Sequence, residues 1–172
     1  MMASDELTEI RFRRYSIAVG DFEEAVEAAE EALRHPPDSP AREALFFMAI
    51  ILYVRPFSAN EKRPKKGEIP PSELCVTLDD FLPLLSEEVA VHQACELLRN
   101  RVLAHAEHSF YPSRVDPRTG VMSRQRPSLM SPIVDDAGVL WPFDIRLFCS
   151  LASKLADQCH HKRADYAHHL RA

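Results

Sequence analysis

Ala44-Leu45-Phe46-Phe47-Met48-Ala49-Ile50-Ile51-Leu52-Tyr53-Val54 runs without a charged side chain. Pro40 stands where a first helical turn tolerates a residue without an N–H, so the stretch reads as a helix from 40 to about Val54. It is apolar nearly all round, which predicts a buried helix at the centre of a bundle. It is far short of the roughly 18 apolar residues that a membrane span requires.

The helical period continues on both sides. Residues 5–17 read as a first helix carrying Leu7, Ile10 and Tyr15. Gly20 is expected to break it, and Asp21, with Glu24 three residues on, to open a second. Phe22, Val26, Ala29 and Leu33 give that second helix one apolar stripe, and Pro36-Pro37 ends it. Downstream, residues 57–73 form a Pro- and Lys-rich loop, and Leu78 to Leu85 a short helical turn interrupted by Pro83. Ser86 is read as the cap of a key helix, with Glu87 and Glu88 in the first turn, where the helix dipole favours acids. Val91, Ala94, Cys95, Leu98 and Val102 trace its core stripe as far as His105. Between Pro112 and Leu140 the period is lost. Turn signals at Asp116–Gly120 and Asp135–Gly138 predict hairpin-like excursions. A last helix begins near Phe143 or Asp144, with Phe148, Leu151, Ala152, Leu155 and Cys159 on its core face.

The fold class that follows is all-α: a four- to five-helix up-and-down bundle with one long irregular or hairpin-containing insertion before the last helix. A chain of 172 residues is one domain of ordinary size. Its expected parts are an N-terminal helical hairpin at 5–35, a core at 40–108, the insertion at 109–141 and a C-terminal helix at 143–170.

Net charge is −5, which gives no overall attraction to nucleic acid, but the charge is unevenly spread. Residues 5–31 carry nine acids against three arginines, whereas 55–66 carry five bases against one acid and 99–126 six arginines against two acids. A polyanion would meet the middle segments. The four cysteines, at 75, 95, 149 and 159, show no short paired spacing, and Cys95 and Cys149 fall in apolar helical patterns. That usage suits a reducing cytoplasm, and the polar, acidic N-terminus carries no signal-peptide pattern.

Chemistry concentrates at Leu98-Arg99-Asn100-Arg101-Val102-Leu103-Ala104-His105. Arginine grips a phosphate through parallel hydrogen bonds, and histidine exchanges protons near neutral pH. The same residue types also complement the negative end of a helix dipole. On a straight helix Arg99 and His105 lie about 120° apart around the axis and about 9 Å along it. A shared site therefore needs the helix to end near Ala104, or a two-fold partner to supply one of the two residues. His92 and Arg99 lie within about 20° of one line and share a face. Asp157, His161, Asp165 and His169 are spaced by four along the last helix, a spacing able to bind zinc. Four groups on one rigid helix cannot wrap a tetrahedral ion unaided, so no metal is expected there. No Gly-rich phosphate loop or nucleophile elbow occurs, and no cofactor is implied.

Arg99-Asn100 followed by His105, with five residues between Arg and His, resembles the signature of the HEPN superfamily. The surroundings resemble a group of bacterial HEPN-like proteins in Arg55-Pro56-Phe57, in a basic loop, in His92 seven residues before the arginine, and in Ala104-His105-Ala106-Glu107. The resemblance covers roughly residues 40–108. It implies a small helical bundle, a symmetric homodimer, and metal-independent RNA cleavage of the kind used in toxin and defence systems. Arg99, Asn100 and His105 would then be catalytic. Arg55, His92, Arg101, Lys62, Arg63, Lys65 and Lys66 would hold RNA phosphates. An antitoxin or other protein would be a further partner.

Two alternatives stand beside this reading. One is a helical module that dimerises or binds a partner without catalysis. The other is a tetratricopeptide-like scaffold, because Gly20-Asp21-Phe22, Ala25, Ala32 and Pro37 resemble the second helix of that repeat. The helix before lacks the repeat's aromatic and glycine positions, and the next 34 residues do not repeat it.

Overall fold

The computed structural model describes residues 4–37, 39–58, 73, 75–103, 113–115, 118–119, 122–124, 134–135, 138–139 and 144–170; for residue 4, residues 101–103 and the short strands it describes the backbone alone. The fold is an all-α bundle. Its helices are α1 (Ser4–Arg34), α2 (Pro40–Val54), α3 (Ser86–Leu97) and α4 (Ile145–His169). α1 packs along α2 on one side and α4 on the other, and α3 touches both α2 and α4, so the four close into a ring.

Local chemistry explains most of the boundaries. The Ser39 hydroxyl accepts the Ala41 N–H at 3.2 Å, and Pro40 occupies the first turn of α2. The Asp144 carboxylate accepts the Arg146 N–H at 2.8 Å and opens α4. At α3 the cap is a correction. Leu85, not Ser86, holds the cap position, and the side chain doing the capping is Glu88, whose Oε2 accepts the Leu85 N–H at 2.7 Å.

The helical hairpin expected at 5–35 is also corrected, because α1 runs unbroken through Gly20. A mid-helix glycine costs about 1 kcal/mol relative to alanine. Burial outweighs that here: Tyr15, Ala18, Val19, Phe22, Ala25, Ala29 and Ala32 form one buried stripe spanning the glycine. The tetratricopeptide-like reading needed a turn at that point and a stack of successive helix pairs, and α1 supplies neither.

Inside the ring sit Phe22, Phe46, Tyr53 and Phe148, all fully buried. The Tyr53 ring touches Phe22 at 5.6 Å and Phe148 at 5.2 Å, joining three helices. Val91, Ala94 and Cys95 of α3 and Leu98 just after it are buried in the core, as their spacing predicted. α2 is less central than expected. Its inner face is buried, but Met48 and Ile51 face outward at 51% and 46% exposure, because α1 is the helix held between two long neighbours.

After Leu97 the chain changes to a π turn, Leu98–Leu103, where an α-helix had been expected to continue toward His105. The insertion holds two short antiparallel hairpins. β1 (Ser113–Val115) pairs with β2 (Met122–Arg124), and β3 (Val134–Asp135) with β4 (Gly138–Val139), bracketing the two turn signals of the sequence. No helix among the described residues is long and apolar enough to cross a membrane.

Candidate functional site

The site is built from the start of α3 upward. Glu88 caps the helix and also accepts both contacts of Lys154 Nζ, at 2.9 and 3.0 Å, from α4. The lysine's hydrogen bonds, with the Leu85 N–H, hold the Glu88 carboxyl below the usual carboxylate range. This pins the first turn of α3, and the buried stripe from Val91 to Leu98 fixes its rotation. Arg99 and Asn100 follow at once on the π turn, Arg99 half-buried and Asn100 exposed. π turns occur mostly as single turns within α-helices and are frequent at functional sites.

Arg99 Nη1 donates to Asn100 Oδ1 at 2.7 Å. The partner is a neutral amide, and among the described residues no carboxylate pairs with Arg99. Of the predicted cluster, the structure brings Arg99 and Asn100 together. For Arg101 it gives the backbone only. His105, Lys62, Arg63, Lys65 and Lys66 lie outside the described residues.

His92 is not where the sequence reading put it. It is 4% exposed, inside the bundle rather than on a phosphate-facing surface. Its Nδ1 shares a 3.2 Å hydrogen bond with the Tyr53 hydroxyl, and the Phe57 ring meets it edge to face at 4.5 Å. Glu96 Oε2 lies 3.6 Å from Nε2. Burial lowers the His92 pKa to about 4, so the ring is neutral near pH 7 and brings no positive charge to a phosphate. The angular argument took no account of burial: the core takes the histidine, while Arg99 lies on the π turn that follows α3.

Arg55 is corrected as well. It sits at the 3-10 turn Arg55–Phe57 that ends α2, and its guanidinium forms a two-pronged pair with Asp21 of α1. Nε donates to Asp21 Oδ2 at 2.8 Å and Nη2 to Oδ1. Asp21 is 3% exposed, a buried carboxylate that needs this cation. The arginine's fork is thus occupied within the fold. Asp21 was read as a helix cap; a partner 34 residues distant leaves no local signal.

The C-terminal histidines are bound into local contacts. His161 Nδ1 donates to its own helix at the Asp157 carbonyl, 2.7 Å away. His160 Nδ1 accepts from Arg163 at 2.9 Å, and its Nε2 faces Glu23 Oε1 at 2.9 Å. Among the described residues no group of three or more His, Cys, Asp or Glu side chains is arranged to hold a metal. All four cysteines are free, and burial pushes the Cys149 thiol up to about 11 and the Cys159 thiol up to about 12, so neither is a thiolate nucleophile at neutral pH.

Comparison with known protein families, with curated proteins and with solved structures finds no match to this chain.

Proposed function

We propose that the protein is a HEPN-like, metal-independent endoribonuclease working as a homodimer in the cytoplasm, within a toxin or defence system. The observation that carries this reading is Arg99: an arginine on a π turn at the end of a core helix, with a neutral amide as its recorded side-chain partner. The all-α bundle is the fold class that the resemblance implies.

In this reading Arg99 binds a phosphate of RNA and neutralises the charge that builds on its non-bridging oxygens. Asn100 holds the guanidinium in place. His105 takes the proton of the adjacent 2′-hydroxyl; the freed oxygen attacks phosphorus, the bond to the 5′-oxygen breaks, and that oxygen leaves with a proton. The products are a 2′,3′-cyclic phosphate and a 5′-hydroxyl. A two-fold partner brings the two motifs into one cleft.

The test is cleavage of RNA in excess EDTA. Activity should persist in chelator, disappear on a strand with a 2′-deoxy sugar at the cut, and fall in both Arg99→Ala and His105→Ala. Mixing those two variants should restore part of it if the chains share a site. A second reading, a non-catalytic module that dimerises or binds a protein partner such as an antitoxin, is favoured by the net charge of −5 and by the two basic candidates that the fold keeps for itself. A protein that dimerises but leaves RNA intact would select it.

A further inference from the structure

α2 leaves an apolar strip uncovered, and what flanks that strip is acidic. Met48 and Ile51 lie one turn apart on the outer side of α2 and are half-exposed. Met48 lines a concavity of about 490 Å³ along α1, walled by Glu24, Glu27, Glu30 and Glu31 around Ala28, with Arg34 as its one basic side chain among the described residues. Glu31 shares its charge with Arg34 at 2.6 Å, which neutralises the arginine at that end. Glu24 and Glu27 have no ion pair among the described residues. Like charges three and four positions apart on a helix repel; the nearby Arg55 charge eases this at Glu24 and Arg34 at Glu31, which leaves Glu27 between them and the row acidic overall.

We propose that this groove docks a basic amphipathic helix of a partner protein, with its apolar stripe on Met48 and Ile51 and its Lys and Arg side chains against Glu24, Glu27 and Glu31. Charge complementarity decides the occupant. A second copy meeting the same face across a two-fold axis would bring the same acids with it, and like charges brought together oppose such a contact. A nucleic acid is repelled by the same carboxylates. A helix with a basic rim relieves the repulsion and covers the apolar strip, which is the usual way an amphipathic helix enters a groove. The surface does not involve Arg99, so this inference stands or falls apart from the RNase reading.

The experiment uses the full chain and two fluorescent 18-residue probes. One has leucines at helical spacing flanked by Lys and Arg; the other is identical but carries Glu at every basic position. Fluorescence anisotropy should show binding of the basic probe alone. Glu24→Lys/Glu27→Lys should weaken it at least about tenfold, and the neutral pair Glu24→Gln/Glu27→Gln should weaken it less while keeping the native circular dichroism. Asp165→Lys on α4 and Arg99→Ala should leave it unchanged. Equal binding of the acidic twin, indifference to both glutamate pairs, or no binding of the basic probe up to millimolar concentration would overturn the proposal. Self-association abolished by Met48→Glu would also overturn it, by making a second copy the occupant.

Discussion

Two arginines, Arg55 at the end of α2 and Arg99 at the end of α3, look alike in sequence: each closes an apolar helix and each stands near other basic residues. In the fold they part company. Arg55 is spent on Asp21, a buried carboxylate of α1, through a two-pronged pair. Arg99 faces only the amide of Asn100 among its described hydrogen bonds. An arginine answered by a buried carboxylate fastens elements together; one whose described partner is a neutral amide has no such tie among the described residues. His92 lies between the two regions, on α3 seven residues before Arg99 and packed on Phe57, two residues after Arg55.

The sharpest way to break this contrast is to remove Arg99. If the proposed RNA cleavage holds, Arg99→Ala should reduce it by about 100- to 1000-fold, the usual cost of losing one preorganised group facing developing charge. Its unfolding free energy should stay within about 0.5 kcal/mol of the parent. Paired cleavage and urea-unfolding assays decide it, and a variant that unfolds easily while cutting normally would reverse the two roles.

Next in size is acid sensitivity from His92. Its folded pKa of about 4 lies below the unfolded value of 6.5. Above pH 6.5 both states are neutral and the fold has its full stability. As pH falls from 6.5 toward 4, the unfolded chain takes up a proton that the folded chain refuses, so stability is lost by about 3 kcal/mol over the window. Burial raises the pKa of neighbouring Glu96, which works in the opposite direction and trims the loss. Glu88 and Glu73, held low by Lys154 and Arg11, give up their share only as pH falls below the ordinary carboxylate value of 4.5. The interval from 6.5 to 4.5 therefore separates the histidine from Glu88 and Glu73, with Glu96 reducing its slope. Urea midpoints against pH should slope there in the parent and flatten in His92→Gln; the same slope in both would refute the buried neutral ring.

Arg55→Ala should cost about 2 kcal/mol of stability, because it strands the Asp21 carboxylate without its cation. Thermal unfolding of Arg55→Ala, Asp21→Asn and the double variant would measure the coupling, and additive effects would mean that the pair contributes nothing. The smallest effect is a gain. A Cβ added at Gly20 meets nothing within 4 Å, and the residue is mid-helix, so Gly20→Ala should stabilise by about 0.5 to 1 kcal/mol. It stiffens the helix beside Asp21 and should leave the RNA cleavage proposed for the Arg99 region unaltered. A destabilised Gly20→Ala protein would show that α1 needs to bend there.

What could be read from the sequence was local. Ser39-Pro40, Asp144 and the turns around Arg118 and Gly138 announce themselves within a few residues, and the structure places helix starts and hairpins there. Gly20 misled because its cost is local while the burial of Tyr15 and Phe22 on either side depends on helices distant in sequence. Of the site, Arg99 and Asn100 were legible as neighbours at the end of the core stripe. The inward turn of His92 and the capture of Arg55 were not, since Tyr53 and Asp21 lie 39 and 34 residues away. A search at 3.6-residue spacing also cannot register a turn that departs from it.

The π turn at Leu98–Leu103 has a consequence for chain length. A turn closed by i→i+5 bonds holds one residue more than its α counterpart. Deleting a single residue there would let the helix close as ordinary α while everything before Leu98 stays put. The deletion would remove the residue that the wider turn takes up, so the helix would keep its phase through the turn. That makes the turn a length buffer: within these six positions one residue can be lost without turning the buried stripe from Val91 to Leu98.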